Sequence, residues 1–100
     1  MMRDYDFTLR AIRDITSARD WYDCRGHDLG NRFVDSVLVA IREARENPKR
    51  HPKVDRGVHG VGCIGFPYRV YYELRSEKVT ILAVYHTARD PGRWDDEDRE

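Results

Sequence analysis

Two arginines and a histidine, Arg69, His86 and Arg89, are the residues of this chain that best suit chemistry on a phosphodiester. A histidine can act as a general acid or base near neutral pH, and guanidinium groups stabilise the negative charge that develops on phosphate oxygens. The alternative is structural: the arginines form ion pairs with Glu73 or Asp90, and His86 simply ends a strand. The residue types leave both interpretations open.

The segment from residue 66 to residue 86 must position Arg69 and His86, and its pattern predicts a β-hairpin. β-branched and aromatic residues dominate both arms, and the polar residues 75–78 between them supply a turn. If Leu74 pairs with Val79, this register fixes every other pair. One face then carries the pairs Tyr68–Tyr85, Val70–Ala83 and Tyr72–Ile81, and the other carries Arg69–Val84, Tyr71–Leu82 and Glu73–Thr80, with His86 level with Pro67. The first, apolar face is predicted to be the core, and the second, half-polar face is predicted to meet a partner.

Other constellations give weak signals. The spacings of Cys24 with His27, and of His59 with Cys63, resemble halves of a zinc site. On a strand, however, His59 and Cys63 are roughly 13 Å apart at about 3.3 Å per residue, too far to share one ion. The glycines at 57, 60, 62 and 65 lack the strand, loop and helix of a phosphate-binding motif. We therefore predict no metal and no cofactor, and find no recognisable Ser or Cys nucleophile beside a base.

The length and charge indicate a single domain over residues 1–94 and an acidic tail over residues 95–100, predicted to be disordered. Basic and acidic residues number 18 each, but five acids lie in the tail, so the remaining body has 17 basic and 13 acidic residues and a net charge of +4. Arginine supplies 15 of the 18 cations. Because guanidinium groups favour bidentate contacts with carboxylate or phosphate, the body suits an acidic partner.

The chain has no sequence pattern of a membrane or secreted protein. No run approaches the roughly 18 apolar residues of a membrane span, and the first residues have no hydrophobic signal core. We expect a cytoplasmic protein without a membrane partner. In a reducing compartment Cys24 and Cys63 are expected to be free thiols.

Two amphipathic helices are predicted before the hairpin. A short first strand leads to Thr8, a possible cap for a helix over about residues 9–24, and Asp28 can cap a second helix over about residues 29–47. Pro48 ends the second helix, because the residue before a proline is pushed out of helical geometry. The predicted buried positions are Ile12, Ile15, Ala18 and Trp21 or Tyr22 in the first helix, and Leu29, Phe33, Val37, Leu38, Ile41 and Ala44 in the second.

A basic loop and a glycine-rich strand connect the second helix to the hairpin. The loop spans residues 48–57 and is either a solvated connection or a contact for an acidic target. Glycines weaken the strand that follows. The order strand, helix, helix, three strands predicts an α+β fold in which an N-terminal strand and a helical hairpin pack on a small antiparallel sheet.

Several motifs follow one another in a characteristic order. The helical hairpin contains Ala18-Arg19-Asp20-Trp21-Tyr22 and Arg32-Phe33-Val34-Asp35, and Glu46-Asn47-Pro48 follows it. Phe66-Pro67-Tyr68-Arg69-Val70-Tyr71-Tyr72 and His86-Thr87-Ala88-Arg89-Asp90-Pro91 with Trp94 complete the set. Over residues 5–94 this order resembles the ParE/RelE toxin superfamily, and its ParE branch most closely. The resemblance implies the toxin of a type II toxin-antitoxin module, neutralised by a tightly bound ParD-like antitoxin.

The resemblance implies one of two activities. RelE-branch toxins cut messenger RNA in the ribosomal A site with basic residues of the central strands, whereas the ParE branch is associated with inhibition of DNA gyrase and needs no nuclease chemistry. Where the RelE branch carries lysines, this chain has Gly60 and Gly62. Arg69 matches the arginine of the Tyr-Arg motif in the RelE branch. Arg89 matches a later arginine of that branch only approximately, and Trp94 lies near a position where that branch has a tyrosine.

This incomplete set favours a gyrase inhibitor that is not an enzyme. The alternative is a ribosome-dependent mRNA endonuclease whose catalytic residues are Arg69, His86 and Arg89. A third possibility is an inactive toxin that only binds its antitoxin.

Two binding surfaces are predicted. The C-terminal segment of the antitoxin is expected to wrap the body, with apolar side chains in a hydrophobic groove and acids against the arginines. Its expected contacts on the half-polar hairpin face are Arg69, Tyr71, Glu73, Leu82 and Val84. The expected contacts for the cellular target are Lys49, Arg50, Lys53, Arg89 and Trp94.

Overall fold

Two helices cover one face of a five-stranded sheet. The computed structural model describes residues 2–88, apart from the side chain of Asp55. In chain order the elements are β1 (Tyr5–Phe7), α1 (Leu9–Asp23), α2 (Leu29–Glu46), β2 (Lys53–Asp55), β3 (Val58–Gly62), β4 (Tyr68–Arg75) and β5 (Lys78–His86). The strand order in the sheet is β1-β5-β4-β3-β2. This arrangement confirms the α+β class. Within the described residues, neither helix has the length and apolar character needed to cross a bilayer.

The sheet is mixed, whereas the sequence predicted antiparallel strands alone. β1 runs parallel to β5, with Phe7 opposite Ile81, and the other neighbours are antiparallel. Parallel neighbours need a crossover connection, which the helices and intervening strands provide. β2 lies inside the segment predicted to be a loop, where Lys53 pairs with His59. A strand of three residues is too short to show alternation in a sequence, which is why it was missed.

Thr8 begins α1 as predicted. Its hydroxyl oxygen accepts a hydrogen bond from the backbone N–H of Ala11 at 3.1 Å and donates one to the carbonyl oxygen of Leu82 at 2.8 Å. The first bond satisfies an amide of the first helical turn, and the second fastens the start of α1 to β5. One side chain therefore caps a helix and docks it on the sheet.

The predicted cap of α2 by Asp28 is wrong. Asp28 has a φ of +63°, and its carboxylate accepts from the side-chain amide of Asn31 instead of a backbone N–H. The carboxylate of Asp23 accepts from the backbone N–H of Gly30 at 3.0 Å. A Cβ at Gly30 would lie 2.8 Å from the carbonyl oxygen of Arg19, so the absence of a side chain lets the two helices approach closely here.

The buried side of each helix is shifted relative to the predicted stripe. Ile12 is 49% exposed and Leu38 is 46% exposed, although both were predicted to be buried. Small residues, Ala11 and Ala40, are buried in their place. Alanine allows a helix to lie close to its neighbours, so the larger side chains move to the margin of the contact. The buried residues of α2 are Gly30, Phe33, Val37, Ala40, Ile41 and Ala44.

The predicted hairpin register is correct only near the turn. The observed pairs there are Leu74–Val79, Glu73–Thr80 and Tyr72–Ile81. Leu82 then has no partner on β4, so β5 contains a β-bulge and the register shifts by one residue. The pairs beyond the bulge are Tyr71–Ala83, Val70–Val84, Arg69–Tyr85 and Tyr68–His86, and the pairs predicted for this half of the hairpin are wrong.

The bulge exchanges the faces of the last residues of β5. Val84 packs in the main core beneath the helices, and His86 lies on the same side, against the ring of Tyr68. Ala83 and Tyr85 lie on the opposite side, which we call the outer face. On this outer face, Ala83 and Tyr85 belong to a cluster of buried residues that also contains Val58, Tyr71 and Leu82. The prediction that Val84 and His86 share a face with Arg69 is therefore wrong.

Side chains of α1 provide hydrogen-bond partners for the bulge. β1 pairs with β5 only as far as Ile81. Beyond that point, the carbonyl oxygen of Leu82 accepts from the Thr8 hydroxyl, and the N–H of Val84 donates to a carboxylate oxygen of Asp14 at 3.0 Å. An unpaired buried backbone group costs about 1–3 kcal/mol, so these bonds are a substantial part of the attachment of α1.

We expect Thr8→Ala to lower the free energy of unfolding by about 1–2 kcal/mol, because it removes the cap of α1 and the donor to Leu82. Urea unfolding measures this change. Thr16→Ala is the control, since the Thr16 hydroxyl donates to the Ile12 carbonyl within the same helix. Similar losses in the two variants would contradict a docking role for Thr8.

Candidate functional site

The structure separates Arg69 and His86, two of the three residues of the predicted phosphodiester-cleaving cluster. Arg69 is exposed on the outer face, whereas His86 faces α1 on the opposite side of the sheet. Arg89 lies outside the described residues. Because a histidine and an arginine must reach the same phosphate to act together, Arg69 and His86 cannot serve one catalytic site in this arrangement.

Gly60 and Gly62 are the β3 neighbours of Arg69 on the outer face. Gly62 lies directly opposite Arg69, and a Cβ at Gly60 would be 2.8 Å from the Cδ atom of Arg69. The arginine stem therefore lies across the bare backbone of Gly60. Within the described part of β3, these two positions place no cation beside Arg69.

A groove of about 620 Å³ lies between α1 and the open end of the β4–β5 hairpin, and we call it the aromatic groove. Its lining residues are Asp14, Ser17, Ala18, Trp21 and Tyr22 from α1, and Pro67, Tyr68, Val84 and His86 from the hairpin. The groove has the size and the mainly apolar lining of a ligand or peptide site.

Aromatic contacts fix the floor of this groove. The ring of Tyr22 stacks on Phe33 with centroids 5.4 Å apart and meets Phe66 edge-on at 5.0 Å. Phe33 in turn meets the ring of Tyr68 at 5.0 Å. Edge-on and stacked pairs are stabilising beyond the area that they bury. The floor is therefore formed by side chains that the core already holds in place.

Trp21 forms the rim of the aromatic groove. Its side chain is 49% exposed, and it meets Tyr22 edge-on at 5.0 Å. The guanidinium carbon of Arg25 lies 3.6 Å from the Trp21 ring centroid, which is a cation–π contact. The helical periodicity predicted that either Trp21 or Tyr22 is buried in the core. In the structure Tyr22 points inward, and Trp21 is left available to a partner.

The groups around the groove do not form a nucleophile and base pair. Burial, with smaller contributions from Tyr68 and Cys63, raises the pKa of the Tyr22 hydroxyl, and burial raises the pKa of the Cys63 thiol to about 11. Both groups are thus neutral near pH 7. The Nδ1 atom of His86 accepts from the N–H of Ala88 at 3.0 Å. No group of three or more His, Cys, Asp or Glu side chains within residues 2–88 could hold a metal ion.

The residues predicted to contact an antitoxin are mostly buried. Tyr71 is 4% exposed, Leu82 1% and Val84 2%, and Val84 lies on the helix side. Glu73 is half-buried and forms an ion pair with Arg75. Among these five predicted contacts, Arg69 is the exposed one. The outer face therefore offers a partner less exposed surface than the predicted register implied.

A second apolar surface, beside α2, was not predicted. It forms a groove of about 360 Å³ whose lining residues are Met2, Tyr5, Leu38, Val39, Ile41, Arg42 and Arg45. Leu38 and Val39 are both nearly half exposed. The sequence signal for this surface is that Leu38 and Val39 are adjacent and both apolar, because a helix cannot bury two adjacent residues on one narrow stripe.

The predicted target contacts Lys49, Arg50 and Lys53 are exposed, whereas Arg89 and Trp94 lie outside the described residues. Lys49 and Arg50 line a shallow cleft of about 270 Å³, which we call the cationic cleft; its other lining residues are Arg3, Asn47 and Pro48. Lys53 follows in β2. The cleft lies just after the end of α2.

The backbone behind the cationic cleft is held by buried polar contacts. The hydroxyl of Tyr72, a fully buried residue, donates to the carbonyl oxygen of Pro48 at 2.8 Å. The Nδ1 atom of His59 lies 2.7 Å from the carbonyl oxygen of His51 and donates to it. His59 also stacks on Tyr72, with ring centroids 5.3 Å apart. The start of the basic loop is thus fixed from inside the protein.

We expect Tyr72→Phe to lower the free energy of unfolding by about 1–2 kcal/mol at neutral pH, because it leaves the Pro48 carbonyl without its donor. Burial raises the pKa of Tyr72 from 10.0 to about 12, so the folded state favours the neutral hydroxyl. The resulting stability is fully present below pH 10 and is lost as the pH rises towards 12.

The difference in unfolding free energy between the wild type and Tyr72→Phe should therefore shrink above pH 10. Chemical unfolding at a series of alkaline pH values measures it. Tyr5→Phe is the control, since this ring is 36% exposed and should cost less at neutral pH. A Tyr72→Phe difference that stays constant with pH would contradict the role given to this hydroxyl.

Comparisons with known proteins identify the fold and the family. The model of the ParE toxin family, the toxin of the parDE type II toxin-antitoxin system, matches residues 5–91. A chromosomal ParDE toxin-antitoxin system from P. aeruginosa is similar in structure, with a TM-score of 0.74 and 16% identity over 85% of this chain and 96% of that one. The toxin-antitoxin complex RelBE2 from Mycobacterium tuberculosis has a TM-score of 0.61 and 24% identity over 86% of this chain and 99% of that one. No curated protein matches the sequence. Because the family model covers most of the chain, the protein belongs to the ParE toxin family of type II toxin-antitoxin systems.

Proposed function

We propose that this toxin arrests growth by inhibiting DNA gyrase and that a ParD-like antitoxin neutralises it. Membership of the ParE toxin family supports the toxin role. The observation that favours gyrase inhibition over RNA cleavage is the β-bulge at Leu82, which puts His86 and Arg69 on opposite faces of the sheet. Because Arg69 and His86 cannot act on one phosphate in this arrangement, binding to a protein target is the better use of this surface.

The aromatic groove supports the proposal for the antitoxin. Interfaces draw most of their affinity from a few aromatic or apolar anchors that fill a preformed pocket. Tyr22 and Tyr68 provide such a pocket, already rigid because both rings pack on Phe33, and Trp21 packs on Tyr22 at its rim. We propose that apolar side chains of an antitoxin segment fill it. This replaces the outer hairpin face as the main proposed contact, since three of the residues predicted there are buried.

Arg25, in the turn after α1, supports the proposal of an acidic segment. It stacks on Trp21 at the rim of the groove. A carboxylate of the antitoxin can pair with this guanidinium group while apolar side chains of the antitoxin enter the groove. The net charge of +4 outside the acidic tail also attracts an acidic segment at long range.

Two assays on purified toxin separate the target hypotheses. We expect the toxin to inhibit supercoiling by gyrase and to cause gyrase-dependent DNA breaks, while mRNA on programmed ribosomes stays intact. A-site cuts that vanish in both Arg69→Ala and His86→Ala would overturn gyrase inhibition in favour of the nuclease. Expression without growth arrest would instead identify an inactive toxin that only binds its antitoxin.

A Trp21→Ala substitution tests the aromatic groove. Loss of an aromatic anchor costs about 2 kcal/mol, so we expect the Kd for the antitoxin encoded beside this gene to rise about 30-fold in calorimetry. Leu9→Ala is the control, because Leu9 is an apolar residue of α1 that is 59% exposed and does not line the groove. Thermal unfolding verifies that both variants fold. Equal affinities of Trp21→Ala and Leu9→Ala would exclude the groove as the antitoxin site.

A further inference from the structure

The side chains of Lys49, Arg50 and Lys53 are exposed, and none of the three forms a hydrogen bond or ion pair with a side chain that the structure describes. Most other charged side chains nearby are engaged. Glu43 faces the ring of His51 at 3.8 Å, and Arg3 forms an ion pair with Glu77. Three cations without a partner among the described side chains, all within five residues, make a local concentration of positive charge that a polyanion can neutralise.

These cations stand on a backbone that is fixed before any ligand binds. The carbonyl oxygens of Pro48 and His51 accept from Tyr72 and His59, and the carbonyl oxygen of Pro52 accepts from the N–H of Gly60 at 3.1 Å. Preorganisation lowers the entropy cost of binding. The loop is therefore better suited to a contact surface than a mobile connection would be.

The composition of the loop favours a phosphate backbone over other anionic partners. Protein interfaces are depleted in lysine and enriched in aromatic residues, and single-stranded nucleic acids bind to exposed aromatic rings that stack on their bases. Residues 48–57 contain no Phe, Tyr or Trp, and three of their five basic side chains are lysine or histidine. Contacts with the phosphates of a duplex need cations and no stacking surface.

We propose that Lys49, Arg50 and Lys53 bind the phosphate backbone of duplex DNA, so that the toxin contacts the DNA segment held by gyrase as well as the enzyme. The choice of DNA rests on the proposed inhibition of gyrase. Arg3, Asn47 and Pro48 complete the cationic cleft in which one phosphate is received. The toxin then recognises the enzyme–DNA complex in preference to free gyrase.

Salt dependence gives this interaction with phosphates a measurable size. Removing one cation from a phosphate reduces the magnitude of the slope of log K against log salt by about 0.9, so removing three reduces it by about 2.7. The same three cations account for an affinity loss of about 40-fold between about 50 and 200 mM salt. A small change in fold stability does not alter the slope of log K against log salt, so the slope distinguishes lost phosphate contacts from destabilisation.

The experiment is fluorescence anisotropy of the full-length toxin with a labelled duplex DNA of about 20 base pairs over a range of salt concentrations. The test variant is Lys49→Gln/Arg50→Gln/Lys53→Gln. The control variant, Arg13→Gln/Arg19→Gln/Arg32→Gln, removes the same charge from exposed positions on the helices. We expect the test variant to lose the salt-dependent binding and the control to keep most of it.

Three outcomes would overturn the proposal: no duplex binding by the wild type, equal losses in the two variants, or tighter binding to single-stranded RNA of equal charge than to the duplex. Equal losses would show a net-charge effect, with the loop cations serving the negative end of α2. A gyrase assay run in parallel separates the two hypotheses. Duplex binding at this loop without inhibition of supercoiling refutes the gyrase target alone. Full inhibition by a test variant that no longer binds duplex DNA refutes recognition of the enzyme–DNA complex through this loop, and leaves the gyrase target standing.

Discussion

The backbone groups of β5 beyond Ile81 need hydrogen-bond partners, and this requirement determines much of the structure. β1 ends at Phe7 and leaves the rest of this strand edge without a neighbour. Thr8 and Asp14 of α1 replace the missing strand by bonding to the carbonyl and amide groups around the bulge. Helix α1 must therefore run along the edge of the sheet. It also shields that edge from pairing with other chains, a liability of any exposed strand.

The same bulge decides what the surface can do. In a regular hairpin, His86 would join Arg69 on the outer face, and a histidine beside an arginine could act together on a phosphodiester. The extra residue Leu82 turns His86 towards α1, where it meets Tyr68 and becomes part of the aromatic groove. A single inserted residue thus separates Arg69 from His86 and places His86 in the aromatic groove.

The sequence was sufficient to predict both helices and every strand except β2, and insufficient to predict the register of the hairpin. Helical periodicity and the cap at Thr8 predicted both helices, and the turn at 75–78 predicted the first three hairpin pairs. The bulge could not be predicted, because residues 79–85 are nearly all apolar and either face accepts them. The exposure of Leu38 and Ile12 depends on how closely alanines let the helices approach the sheet, which is a tertiary effect. The residues of the aromatic groove come from α1 and from both arms of the hairpin at its open end, and no local pattern connects them.

The two proposed surfaces are separate, and this separation constrains the antitoxin. The aromatic groove includes Tyr68 at the open end of the hairpin, whereas the cationic cleft includes Pro48, whose carbonyl oxygen accepts from Tyr72. Tyr68 and Tyr72 are four residues apart on β4, or about 13 Å at roughly 3.3 Å per residue, and Lys53 is level with Tyr72 but two strands away. A segment confined to the groove would leave the loop cations free to contact DNA. An antitoxin that blocks both surfaces must therefore continue for at least about four extended residues beyond its aromatic anchor, with acids at the far end where Lys49 and Arg50 are exposed.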